Sequence, residues 1–214
     1  FSNGWGGFNA DAHEYVIHVP SIGDGVRVPP RPWTNVLAND RFGCLVSETG
    51  AASTWFGNSR EHRITPWHND TLLDPHGEAL LLRDDDHGTS CSCQPGPHPA
   101  GGDYEVRHGQ GYSRWLRRGD DLEIESLVFV ERTAPLRRTR IRIKNEGALA
   151  RRLSLFAYHE LVLGSSPEQD ERFVVTEPAS GREFIPGTTP TLQDAVGAGF
   201  ANFQQEQHRG ALKH

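Results

Sequence analysis

Methionine is absent from all 214 residues and the chain opens on Phe1. Translation begins on Met, so the expectation is a segment of a longer protein or a processed product. A basic amino-terminal stretch followed by an apolar one is also lacking, so no secretory signal can be read. Only three cysteines occur, an odd number that does not fit a disulfide scaffold and points to a reducing compartment. The cytoplasm is the expected location. No run approaches the roughly 20 consecutive apolar residues of a membrane-spanning helix, and we expect a soluble chain. A positive surplus is missing as well: 22 Lys+Arg stand against 28 Asp+Glu, a net charge of -6 that excludes a general nucleic-acid binder. No internal repeat is found.

What is present is bulky apolar material and punctuation. Five Trp, ten Phe and four Tyr supply the volume of a folded core. The 23 Gly and 14 Pro fall at intervals too short for most helices, which favours strands. Residues 121–131 alternate Leu122, Ile124, Val128 and Val130 against Glu123, Glu125 and Glu131, one face buried and one wet. Residues 137–145 repeat the pattern, with Thr139, Ile141 and Ile143 inward and Arg138, Arg140, Arg142 and Lys144 outward, so cross-strand Glu to Arg pairs are expected. Residues 151–164 become apolar on both faces at Phe156 and Tyr158, which predicts a central strand following on from these two. Shorter strands are expected over 14–19, 42–48, 53–57, 78–84, 112–116 and 172–177. Nine or more strands without helices between them mean an all-β sandwich. Residues 86–103, rich in Gly, Pro and Ser, read as a long solvated loop, and 192–207 fit a helix.

Two stretches carry the residues most suited to chemistry. In Ser53–Asp70, Trp55 and Trp67 bracket Asn58, Arg60, Glu61, His62, Asn69 and Asp70. Indole faces pack on the C–H faces of a pyranose, and planar Asn, Asp or Arg groups read hydroxyls in pairs. The same residues also fit core packing by the two Trp and polar anchoring of a long loop. In Arg107–Trp115, Gly109 and Gly111 would let a backbone approach a ligand; a strand-turn-strand with His108 hydrogen-bonded at the turn is the alternative. Neither a dinucleotide fingerprint nor a phosphate loop is present. Cys91 and Cys93, flanked by His87 and His98, raise zinc, but a one-residue spacing lacks a matched second pair and no metal is expected. Asn69-Asp70-Thr71 fits a glycosylation acceptor, relevant only to a secreted eukaryotic chain. No G-x-S-x-G and no locally based Ser or Cys nucleophile occurs, and His159 and Glu160 fall on opposite strand faces. No catalytic residue is assigned.

Seven stretches in order, NGWGGF (3–8), PWTNVLANDRFGCLVSETG (32–50), GNSREHRITPWHND (57–70), DPHGEALLLRDDDHG (74–88), RHGQGYSRW (107–115) and LSLFAYHELVLG (153–164), with EYVI (14–17) after the first, resemble the amino-terminal domain of glycoside hydrolase family 94. That family includes cellobiose and chitobiose phosphorylases, β-1,2-oligoglucan phosphorylases and the carboxyl-terminal part of cyclic β-1,2-glucan synthases, and the wording is most similar to the last group. The resemblance implies a large antiparallel two-sheet supersandwich like that of galactose mutarotase, over residues 1–181. Residues 182–214 depart from the pattern as a divergent tail, truncated or helical, so the sandwich is expected to be incomplete at its carboxyl end.

The resemblance also implies a parent enzyme that cleaves a β-glucosidic bond with inorganic phosphate as co-substrate and inverts the anomeric centre, with no other cofactor. There one carboxylic acid protonates the leaving oxygen and phosphate takes the place of water. That acid belongs to an (α/α)6 barrel, which this chain does not contain. The implied role is a noncatalytic module that packs on the barrel, takes part in homodimer assembly and brings loops to a β-glucan or oligosaccharide. The matching positions for sugar contact are Asn58, Arg60, Trp67, Asn69 and Asp70 in one motif, and His108 and Tyr112 in the other. A parent of the cyclic glucan synthase type would be associated with the inner membrane. The alternatives are a stand-alone mutarotase-like enzyme and a carbohydrate-binding module.

Overall fold

A computed structural model describes residues 3–165, 167–170 and 174. Its first seven strands are β1 (Gly6–Phe8), β2 (Glu14–Val19), β3 (Ser21–Ile22), β4 (Gly25–Val26), β5 (Thr34–Ala38), β6 (Phe42–Ser47) and β7 (Ala52–Phe56). Then come β8 (Glu78–Asp84), β9 (Ser90–Ser92), β10 (Asp103–Gly109), β11 (Tyr112–Gly119), β12 (Leu122–Val130), β13 (Arg137–Asn145) and β14 (Leu153–His159). The one helix among the described residues is α1 (Pro167–Asp170). The strand expected at 172–177, the helix at 192–207 and the boundary at 181 lie outside the described residues.

Six strands form an antiparallel sheet in the order β1-β2-β10-β11-β12-β13, and two three-stranded sheets, β5-β6-β7 and β14-β8-β9, face it. The architecture is all-β and antiparallel. Period-two alternation places Ile17, Val19, Tyr104, Val106, Trp115 and Val128 on the inner face of the large sheet, where they meet Leu37, Cys44, Val46 and Ala52. Trp115 is 1% exposed, and its indole nitrogen donates to the Glu48 carbonyl at 2.9 Å, so the largest core side chain leaves no buried donor unpaired. A second cluster joins Leu82 and Cys93 to Leu122 and Ile124.

The Glu to Arg pairing expected between β12 and β13 is present. Glu125 stands opposite Arg142 and accepts bonds from Arg114 at 2.9 Å and Arg140 at 3.2 Å. The face is less wet than alternation alone predicts: Glu125 is 7% exposed because these guanidinium stems lie over it. Thr139, expected inward, is exposed, since β13 closes the end of the sheet.

Strand β14 corrects another expectation. It is not central and does not follow β13; it ends its own sheet beside β8, with Leu155 opposite Leu82. Leu155, Phe156 and Tyr158 remain 47–50% exposed. Charges set this register. Arg151 bonds Asp84 at 2.6 Å, Arg152 bonds Asp86 at 2.8 Å, and Ser154 bonds Asp85 at 2.6 Å, so the acid run at the end of β8 captures the residues at the start of β14.

At the start of β8, Glu78 is 4% exposed and ties this strand to β7 and β13. One carboxylate oxygen accepts the Thr54 and Thr65 hydroxyls, each at 2.7 Å, and the other is paired with Arg137, which also donates to Thr54 at 2.9 Å. Burial pushes the Glu78 pKa up, but Arg137 and the two hydroxyls outweigh it and the carboxyl lies below its ordinary value.

The segment 86–103 is not a solvated loop. Ser90–Ser92 pairs with β8, and Ser92 and Cys93 are 0% exposed. Burial pushes the Cys93 thiol up to about 12 and the Cys44 thiol up to about 11. Both should therefore resist a thiol reagent at pH 8 in the native state and react on unfolding. Native labelling of either at the rate of a free thiol would contradict their placement.

Candidate functional site

Asn58 follows Gly57, whose φ of +70° turns the chain out of β7. The Asn58 side-chain oxygen accepts the backbone N–H groups of Arg60 at 2.8 Å and Glu61 at 3.0 Å, so it holds the turn. Arg60 is exposed and reaches Glu61 at 3.2 Å. Trp55 lies over Gly43, where an added Cβ would stand 2.5 Å from its ring, and it serves packing. Trp67 differs. It is 46% exposed, following the buried Pro66. Asn69 adopts φ of +50°, and Asp70 accepts the N–H groups of Leu72 at 2.9 Å and Leu73 at 3.0 Å, which lowers its pKa.

Trp67, Asn69 and Asp70 share the wall of a cavity of about 200 Å3 with Thr34, Ser53 and Asp74. The structure thus brings together three of the seven sequence-selected residues, with Asn58 and Arg60 outside that wall. His108 and Tyr112 fall on opposite faces of the large sheet, as their register partners Ser113 and Gly109 require. His108 faces inward, one ring nitrogen bonded to Ser113 Oγ and the other to the Trp33 carbonyl, both at 2.9 Å. Burial lowers its pKa to about 4, so the imidazole is neutral and positions the Trp33 segment, next to Thr34 of the cavity. Tyr112 faces outward and donates to Glu14 at 2.6 Å, beside Arg107.

Residues missed in the sequence complete the surroundings. Asp74 Oδ2 accepts the hydroxyls of Ser47 and Thr49, each at 2.6 Å, and Glu48, 1% exposed, accepts the Trp33 N–H at 2.7 Å. Burial pushes the Glu48 carboxyl up to about 7. The available signal was the Asp74-Pro75-His76-Gly77 stretch, whose Asp74 and His76 side chains bond the Ser47 and Thr49 hydroxyls. Among the described residues no three His, Cys, Asp or Glu side chains converge on a metal-sized site.

A supersandwich built from a large antiparallel sheet, with a Trp-containing loop on the facing layer, matches the family model described as glycosyl hydrolase 94, supersandwich domain, over residues 13–208. The chain belongs to that family. The supersandwich domain is 38% identical over 202 residues to a cyclic beta-(1,2)-glucan synthase, NdvB, of Rhizobium meliloti (strain 1021), covering 92% of this chain and 7% of that protein. It is 26% identical over 186 residues to the N,N'-diacetylchitobiose phosphorylases of Vibrio proteolyticus and Vibrio furnissii, covering 86% of this chain and 22% of each. The supersandwich domain therefore spans between 7% and 22% of the length of these relatives. No helix among its described residues is long and apolar enough to cross a membrane.

Proposed function

We infer that the chain is a noncatalytic, carbohydrate-associated module of a phosphate-using, inverting glucan-active enzyme of the cyclic glucan synthase or phosphorylase type. The observation that carries this reading is coverage: nearly the whole chain aligns with relatives of which it forms a small part. The rest of such a protein holds an (α/α)6 catalytic barrel, with phosphate as its co-substrate. Leu72 and Leu73, 87% and 75% exposed at the tip of the loop that carries Trp67, fit a surface covered by that barrel or by a second copy. The residues 57–70 then stand at the junction, where Asn58, Arg60, Trp67, Asn69 and Asp70 meet the sugar, while His108 holds the supporting segment and Tyr112 lies on the outer face. The cytoplasm, or the cytoplasmic side of a membrane-associated parent, is the matching location.

The test is turnover. The purified chain, given β-1,2-linked glucobiose or N,N'-diacetylchitobiose with inorganic phosphate, should release no sugar 1-phosphate. Release at a rate proportional to chain concentration would overturn the assignment.

A further inference from the structure

Beside the Trp67 cavity lies a second one of about 470 Å3, lined by Val28, Pro29, Pro97 and Pro99 together with Glu48, Thr49, Asp74 and His76. The two adjoin, because Pro32, Thr71, Asp74 and Pro75 belong to both walls. The second falls within the range of small-ligand sites, about 300–1,000 Å3, and the first is smaller. Asp74 stands at the partition. Its Oδ2 is held by the Ser47 and Thr49 hydroxyls, and no described residue bonds its Oδ1. A carboxylate fixed through one oxygen presents the other in a set direction, ready to accept ligand hydroxyls without losing side-chain freedom on binding. His76 is tied to Thr49 through Nε2 at 3.2 Å, so the Thr49 hydroxyl that donates to Asp74 also joins His76 to it.

The charge of the walls selects the ligand. Asp70, Asp74 and Glu48 contribute carboxyl groups, and among the described residues Arg31 is the one Lys or Arg in either wall. Burial holds His76 below its ordinary pKa, so it adds no positive charge at neutral pH. Phosphoryl groups are recognised by clustered cations and N–H donors, whereas here a single Arg stands against three carboxyl groups. Apolar rings with fixed acceptors suit the C–H faces and hydroxyls of an uncharged sugar.

We propose that the two cavities form one binding track for two adjacent units of an uncharged oligosaccharide, one ring on Trp67 and the next between the proline wall and Asp74, and that the track rejects phosphorylated sugars. The proposal rests on the reading that the Trp67 loop meets carbohydrate. It goes further by assigning Asp74 and the second cavity, and by separating the neutral glucan from the sugar phosphate.

Calorimetric titration of the full chain with glucose, glucose 1-phosphate, β-1,2-linked glucobiose and N,N'-diacetylchitobiose tests it. One of the two disaccharides should bind at least tenfold more tightly than glucose, and glucose 1-phosphate no better than glucose. Val28→Trp, a change at an exposed residue of the second wall, should bring that disaccharide to the affinity of glucose while leaving glucose unchanged. Asp74→Asn should weaken the disaccharide about tenfold, and Trp67→Ala should weaken both ligands. Tight binding of glucose 1-phosphate, or disaccharide binding indifferent to Val28→Trp and Asp74→Asn, overturns the track even where Trp67→Ala has its effect. No heat with any sugar also overturns it, yet leaves the noncatalytic assignment intact, since that fails only on turnover.

Discussion

Arg137→Met is expected to lower the free energy of unfolding by about 3–5 kcal/mol, read as a fall in the urea midpoint without a change of slope. The size follows from what is left behind. Glu78 is 4% exposed, and its charge is held by Arg137 together with the Thr54 and Thr65 hydroxyls. Removing the guanidinium strands a carboxylate in the interior, or forces it to take up a proton. The double change Arg137→Met with Glu78→Gln should recover part of the loss, because no buried charge then lacks its partner. A single Arg137→Met variant as stable as the parent chain would show that the pair does not join β7, β8 and β13.

Glu48→Gln should act in the opposite direction, with a gain that sets in above about pH 4.5 and is complete near pH 7. The Glu48 pKa is raised from 4.5 to about 7, first by burial and also by the neighbouring Asp74. Below about pH 4.5 the carboxyl is protonated in both folded and unfolded chains and costs nothing. Between there and pH 7 the unfolded chain gives up its proton while the native one keeps it, so stability falls as pH rises and then levels off. The full interval corresponds to about 3 kcal/mol. The amide introduced by Glu48→Gln would retain an acceptor for the Trp33 N–H and lose this slope. His108 contributes with the other sign: its pKa is lowered from 6.5 to about 4, so its share of stability is present above pH 6.5 and is lost as pH falls towards 4. In the parent chain the two slopes oppose each other, whereas in Glu48→Gln the His108 slope is unopposed, joined by those of His76 and His159, whose pKa values burial also lowers, and stability should rise from pH 4.5 to 6.5. Thermal or urea unfolding across pH 4–8 would show this, and parallel curves for the two proteins would refute it.

Strands with a long alternating pattern were legible before any coordinates. The stretches 14–19 and 78–84 coincide with β2 and β8, and 121–131 and 137–145 cover β12 and β13. β1, β3, β4 and β9 have two or three residues each, too few to display a period, and β10 mixes Glu, Arg and His among its apolar positions. β14 was legible as a strand but not in its place, because its partner is set by Arg151 and Arg152 meeting Asp84 and Asp86, a match across about 66 residues that no local window contains. The same limit applies to the site. Trp67, Asn69 and Asp70 are close in the chain and share one wall, so composition sufficed to pick them out. Asp74 and Glu48 gain their character from clamping and burial by β6 and the Trp33 segment, which a linear reading does not reveal. His108 and Tyr112 looked like one motif, yet crossing a two-residue hairpin sends them to opposite sides of the sheet.

The clasp between the acid run at the end of β8 and the arginines before β14 also dictates an order of events during synthesis. The β8–β9 ribbon leaves the ribosome with one long edge bare and stays so until residue 159 has been made, an interval in which Leu80 and Leu82 lack their opposite strand. A nascent chain halted anywhere in that interval would offer a sticky template to other chains, so ribosome-bound intermediates ending before β14 are where chaperone capture should concentrate.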